Sequence, residues 1–194
     1  MKKIFFSVCM LFALVGNAQM KTLNKEQQAV KKTVVDFYKW YKENWKNLND
    51  FILYKGKNQQ GTPPYIIDWK VAEKYFSYIR KNIPYLGEAF IKNEKEFLKE
   101  CQKEFDKDPE GDVPYGFDYN RFTNSQEEPD YIVDANILNT RNNWNINIYS
   151  DKAIAFIEAN YTEPIKDNWN KVELVKERGV WKIAKCLEHV DACD

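Results

Sequence analysis

One histidine, His189, stands among 194 residues, and with four cysteines it is the whole supply of soft metal ligands. Zinc centres draw on paired ligands at close spacing, and neither the cysteines nor the lone imidazole offer such a pair. A Ser-His-Asp triad would have to be built on His189, which falls at the end of the last strand expected below, where a surface or tail-packing role suits it better. Neither a GxSxG turn nor a phosphate-cradling glycine loop is present. Basic blocks are missing too: Lys and Arg number 29, matched by 29 Asp and Glu. That balance argues against nucleic acid or a membrane surface as partner, because both need clustered cations. No apolar run after Ala18 is long enough to cross a bilayer, so no membrane span is expected. Internal repeats and low-complexity tracts are absent.

The N-terminus is what stands out. Lys2 and Lys3 precede a nearly continuous apolar run from Ile4 to Val15, and Gly16 and Ala18 follow as small residues two apart. This pattern predicts a secretory signal peptide over 1–18, cleaved after Ala18, and a mature chain that is periplasmic or secreted. Loss of Lys2 and Lys3 leaves 27 basic against 29 acidic residues. Cys9 lies in the leader, and Phe6, Ser7 and Val8 before it do not suit a lipid-attachment site. Cys101, Cys186 and Cys193 remain. In an oxidising compartment the expected disulfide joins Cys186 to Cys193, with a bridge from Cys101 to either as the alternative. Cys101 reads equally well as a buried free thiol on the apolar face of a helix.

Residues 19–194 suit a single domain. Asn24 with Gln27 forms a capping-box signature, and Val30, Val34, Phe37, Tyr41, Trp45 and Leu48 recur at steps of three or four, predicting a helix over 25–47. Gly56, Gly61, Pro63 and Pro64 exclude a long regular element from 51–67. Asp68 caps a second helix that Pro84 stops, and a third spans about 86–105. A long segment, 106–130, then carries Asp, Pro, Gly and aromatic residues; loops of this length tend to be functional. Apolar alternation from Tyr131 to Ile137 predicts a strand. Further strands are expected at Trp144 to Ile148, at Ala153 to Tyr161 in the sheet centre, and at 170–177 and 181–188, joined by a tight Arg178-Gly179 turn. Three helices followed by a four- or five-strand antiparallel meander is an α+β arrangement.

The first helix, VVDFYKWYKENW, and the closing hairpin, VELVKERGVWKIAKC, together resemble the nuclear transport factor 2-like, or cystatin-like, superfamily. More narrowly, the chain is similar to exported bacterial domains of unknown function in that superfamily. The resemblance covers about 25–188 and implies N-terminal helices packed on a curved antiparallel sheet, a cone whose open end often holds a small ligand. It implies a possible homodimer through the exposed side of the sheet. Some members are isomerases or dehydratases and many bind partners, and fold alone does not choose between them.

Two constellations carry potential chemistry. Asp106, Asp108, Glu110, Gly111 and Asp112 follow a helix as the first half of an EF-hand loop does; the favoured expectation is a solvated acidic turn and no cofactor, with calcium held by Asp106, Asp108, Glu110 and Asp112 as the alternative. Phe117 stands where the closing bidentate Glu belongs, and Pro114 precedes it. The second constellation is aromatic. Tyr115, Phe117, Tyr119 and Phe122 surround Arg121, Asn124 and Gln126, a mixture suited to a protein interface or a sugar platform, or equally to plugging the open end of the cone. With Tyr38 and Trp40 from the first helix, Tyr115, Phe117, Tyr119 and Arg121 are the expected ligand-binding residues; Trp45 reads as core. Asp134, Glu158 and Glu173 fall on polar strand faces, so no catalytic residue is assigned. The expectation is a non-catalytic module that binds a small molecule or an extracytoplasmic protein. The alternatives are an inhibitor or immunity-type protein acting through 106–130, and a lyase or isomerase of the resembled superfamily.

Overall fold

The computed structural model describes residues 22–59, 61–159 and 169–190. The signal-peptide segment 1–18 and Cys193 lie outside the described residues.

Helix α1 spans Lys25–Asn49. Its start is fixed as expected: the Asn24 side chain accepts from the Gln27 backbone N–H (3.0 Å), and the Gln27 side chain accepts from the Asn24 N–H (2.9 Å). Val30, Val34, Phe37, Tyr38, Tyr41 and Leu48 form its buried stripe. A short hairpin follows, β1 (Tyr54–Gly56) with β2 (Tyr65–Ile67). Helix α2 is Trp69–Asn82, and α3 is Glu88–Lys107. Four strands close the chain: β3 (Asn143–Tyr149), β4 (Lys152–Glu158), β5 (Trp169–Glu177) and β6 (Val180–Val190). They form one antiparallel sheet in the order β3-β4-β5-β6. Arg178 and Gly179 both take positive φ, 51° and 82°, the geometry of the tight turn expected between the last two strands.

The segment after the long loop departs from expectation. The strand predicted from Tyr131 to Ile137 is helical: α4 (Pro129–Val133) runs into a π-helical turn over Asp134–Leu138. Burial explains the outcome, because Pro129, Ile132, Val133, Asn136 and Ile137 are the buried positions, spaced three and four apart. Val133 and Ile137 satisfy a period of two as well as one of 3.6, and Pro129 at the first helical position favours the helix.

The core lies between the helices and one face of the sheet. Ile146, Ala155, Val172 and Ile183 point inward from the four strands, and α1 lies against β3, β4 and β6, with α3 against β6 and β2. Each large side chain buried there contributes about 1.5–3 kcal/mol. Polar ties orient the first turn of α1. Glu26 accepts from Trp181 Nε1 (2.8 Å) and from Lys176 Nζ (2.9 Å), and Gln27 Nε2 donates to the Ile146 carbonyl (2.8 Å). No helix among the described residues is long and apolar enough to cross a membrane.

Asp68 joins the hairpin to α2: its carboxylate accepts from the Lys70 and Val71 N–H groups (3.1 and 3.2 Å) and from Lys55 Nζ (2.9 Å). Lys55 first, and then the cap N–H groups, hold its carboxyl below the ordinary value of 3.8. The folded state therefore favours the ionised form, so this contribution is complete above about pH 4 and is lost as pH falls through the folded value. Asp68→Ala is expected to lower stability by about 1 kcal/mol at neutral pH. Urea unfolding checks this, and the difference from wild type should shrink toward pH 3.

Candidate binding site

Two tyrosines on α1 organise the long loop. The Tyr38 hydroxyl, fully buried, donates to the Phe122 carbonyl (2.8 Å) and accepts from the Leu187 N–H of β6 (3.0 Å). One turn on, the Tyr41 hydroxyl donates to Asn120 Oδ1 (2.9 Å), which also accepts from the Phe122 and Thr123 N–H groups (2.9 and 3.2 Å). Asn120 and Ser125 pair through their backbones, and Asn124 takes φ 48°, so 120–125 closes on itself as a tight turn. Burial raises both phenols above their ordinary value, which keeps them protonated as donors. Phe122 fills the space beneath, its ring centroid 4.9 Å from Tyr41, 5.9 Å from Phe90 and 6.0 Å from Phe37.

Arg121 is held from the other side. Its Nη2 meets Glu94 Oε1 at 2.7 Å, and its guanidinium lies 3.6 Å above the Phe97 ring. Burial works against the arginine charge, and the Glu94 carboxylate outweighs it. Upstream, Gly116 adopts φ 81°, and a Cβ there would come within 2.7 Å of Phe97, so only glycine lets the loop pass this close to α3.

Between this loop, the C-terminal end of α1 and residues 51–54 lies a cleft of about 640 Å³. Trp45, Tyr54, Phe117 and Tyr119 supply its aromatic walls, and Arg121 belongs to its lining. Asp118, Glu127 and Glu128 line it without an ion-pair partner among the described residues. Aromatic faces with a few convergent polar groups are the chemistry of a small-molecule site, and the volume is in the range such sites occupy.

Of the six expected ligand-binding residues, Phe117, Tyr119 and Arg121 come together in this cleft. The other three do not. Tyr38 is core, its hydroxyl spent on the loop and β6. Trp40 is half-buried and stacks on Phe37 at 6.4 Å, outside the cleft. Tyr115 is exposed and borders a different hollow beside Tyr65 and Phe105. Trp45, expected in the core, is half-buried and forms a cleft wall. Within the aromatic loop Phe117 and Phe122 pack inward and Tyr115 and Tyr119 face out.

The acidic residues after α3 are divided between the helix end and the loop that follows it. Among the described residues no three His, Cys, Asp or Glu side chains gather to hold a metal ion, and Asp106, Asp108, Glu110 and Asp112 form no such group. Helix α3 continues through Lys107, which keeps Asp106 on the helix with its carboxylate bonded to Gln102 Nε2 (3.0 Å), while Asp108 ends the helix. Cys101 and Cys186 are buried free thiols. Burial pushes Cys101 up to about 12 and Cys186 well above its ordinary value, which disfavours the thiolate in both. Cys193, the expected partner of Cys186, falls outside the described residues. The three carboxylates expected on strand faces are occupied away from the cleft: Asp134, on the π-helical turn, by Lys42 (2.6 Å), and Glu158 and Glu173, on β4 and β5, by Asn143 (2.9 Å) and Lys171 (3.3 Å).

Two residues the sequence reading passed over matter most. Glu94 sits where the buried stripe of α3 passes, in step with Phe90, Leu98, Cys101 and Phe105, and a carboxylate at an apolar position was the available signal. Asn120 gave none, since its role depends on a tyrosine 79 residues away.

Compared with protein-family models, curated proteins and solved structures, the chain matches none.

Tyr38→Phe is expected to destabilise by about 1–3 kcal/mol, because it strands the Phe122 carbonyl and the Leu187 N–H. Tyr119→Phe, at an exposed ring, should stay within about 0.5 kcal/mol of wild type. Parallel denaturation curves check the pair, and equal midpoints would contradict the anchoring role.

Proposed function

We propose that the mature chain is an exported, non-catalytic binding module that holds a small-molecule ligand in the cleft between Trp45 and Tyr119. The observation that carries this reading is the cleft itself, an aromatic-walled space of about 640 Å³ on a loop anchored by two buried hydroxyls. Preorganised walls favour binding because little ordering entropy is lost when the ligand arrives. The resemblance of VVDFYKWYKENW and VELVKERGVWKIAKC to the nuclear transport factor 2-like superfamily supports it as well, since that superfamily often holds ligands at the open end of a helix-lined cone. Export to the periplasm or medium and a homodimer through the outer sheet face belong to the same proposal. So does a non-catalytic role, which agrees with ion pairs occupying the carboxylates of Asp134 and Glu173.

A second reading is an inhibitor or immunity-type protein that grips a protein partner through the same loop. Val113, Tyr115 and Tyr119 favour it, being 65%, 55% and 49% exposed within seven residues of one another.

Native mass spectrometry of the chain purified from an extracytoplasmic fraction separates the two. The cleft reading predicts a non-covalent adduct of small mass, with affinity reduced about tenfold in Trp45→Ala and Tyr119→Ala, the effect of losing one aromatic contact. A stoichiometric protein partner in place of the adduct would overturn it. An adduct that both variants retain unchanged would overturn it too.

A further inference from the structure

A second hollow, of about 480 Å³, shares Arg121 with the cleft but is lined by α3, the 121–124 turn and β6. At its wall stands Glu94, whose side chain is only 5% exposed. Oε1 takes the Arg121 N–H (2.7 Å), and Oε2 accepts no hydrogen bond from the described residues. A carboxylate this buried is tolerated only if its remaining lone pairs meet donors. Oε2 is not among the fully buried unpaired atoms, so it opens onto the hollow, where a donor from solvent or from a ligand meets it.

The other groups around it narrow the chemistry. Asn93 gives an amide N–H to the Ala184 carbonyl (3.0 Å), which leaves its Oδ1 as a second acceptor. Arg121 uses one nitrogen on Glu94 and keeps further N–H donors. The charges balance, Glu94 and Glu188 against Arg121 and Lys185, so an ion gains no net attraction from the wall. Phe90 and Phe97 add an apolar side. Cys186, also in the wall, is a protonated thiol and offers no covalent chemistry.

We propose that this hollow is a second binding site for a neutral, hydroxyl-rich ligand of monosaccharide size, one of whose O–H groups donates to Glu94 Oε2. A sugar hydroxyl is donor and acceptor at once, so neighbouring hydroxyls match the alternation of carboxylate, amide oxygen and guanidinium, and the less polar ring face meets Phe97. The site is separate from the cleft ligand, and Arg121 is common to both walls.

Amide NMR titrations of the mature protein with D-glucose, D-galactose, D-mannose and N-acetylglucosamine, and with glycine and putrescine as charged controls, test this. At least one sugar is expected to shift the amides of Asn93, Glu94 and 184–187 saturably while those of 49–54 stay in place. Glu94→Gln should weaken that sugar by roughly tenfold or more. Because Glu94→Gln also disturbs Arg121, Asn93→Ala, which removes the amide oxygen offered to the ligand, serves as a second check and should weaken binding severalfold while the dispersed amide spectrum reports an intact fold. Four findings would each overturn the proposal: no saturable shift with any of the sugars; shifts confined to 49–54 and Tyr119; a charged control that outcompetes every sugar; or sugar binding unchanged in both variants.

Discussion

Two phenol hydroxyls one helical turn apart, Tyr38 and Tyr41, hold together three parts of the chain that sequence keeps far apart. Through Tyr38 the loop at Phe122 and strand β6 at Leu187 meet on one oxygen, and through Tyr41 the Asn120 turn is locked to the same helix face. The arrangement depends on burial. An exposed hydroxyl would exchange these partners for water at little cost, whereas a buried one leaves an orphaned backbone group if it lets go. With Phe122 seated among Phe37, Tyr41 and Phe90, the loop becomes a wall of the molecule, and the cleft follows from it.

Much of the fold was legible because its signals are local. The Asn24 capping box, the Asp68 cap, the three helices and the Arg178-Gly179 turn each follow from a few neighbouring residues, and each is present in the structure. Segment 131–137 was misread because Val133 and Ile137 fit two periods at once, and the choice was made by what packs against them. The site was half legible. Phe117, Tyr119 and Arg121 announced themselves as aromatics and a cation crowded into one loop, but ring composition does not say which rings face inward, and Tyr38 turned out to be the anchor for that loop. In the acidic run 106–112, α3 keeps Asp106 on the helix and Asp108 ends it, and no metal-binding group is found among the described residues.

Charge is distributed unevenly across this frame. Pairs such as Arg80 with Glu88, or Lys99 with Glu96, lie on solvated surfaces where water screens them and they add little to stability. Glu94 differs: it is buried, and Arg121 lies over it as a lid that also stacks on Phe97. Removing Arg121 would leave the largely buried Glu94 charge without its partner, which costs more than the pair contributes by forming. Arg121 is therefore fixed in place where two hollows meet.

Native-state hydrogen exchange tests the anchoring directly. The Phe122, Thr123 and Leu187 amides, bonded to Asn120 and Tyr38, should exchange only through global unfolding, with the same free energy as the central amides of β4. Exchange of Phe122 and Thr123 at the rate of an open loop, while β4 stays protected, would show that the two hydroxyls do not hold the loop and that the cleft has no fixed wall.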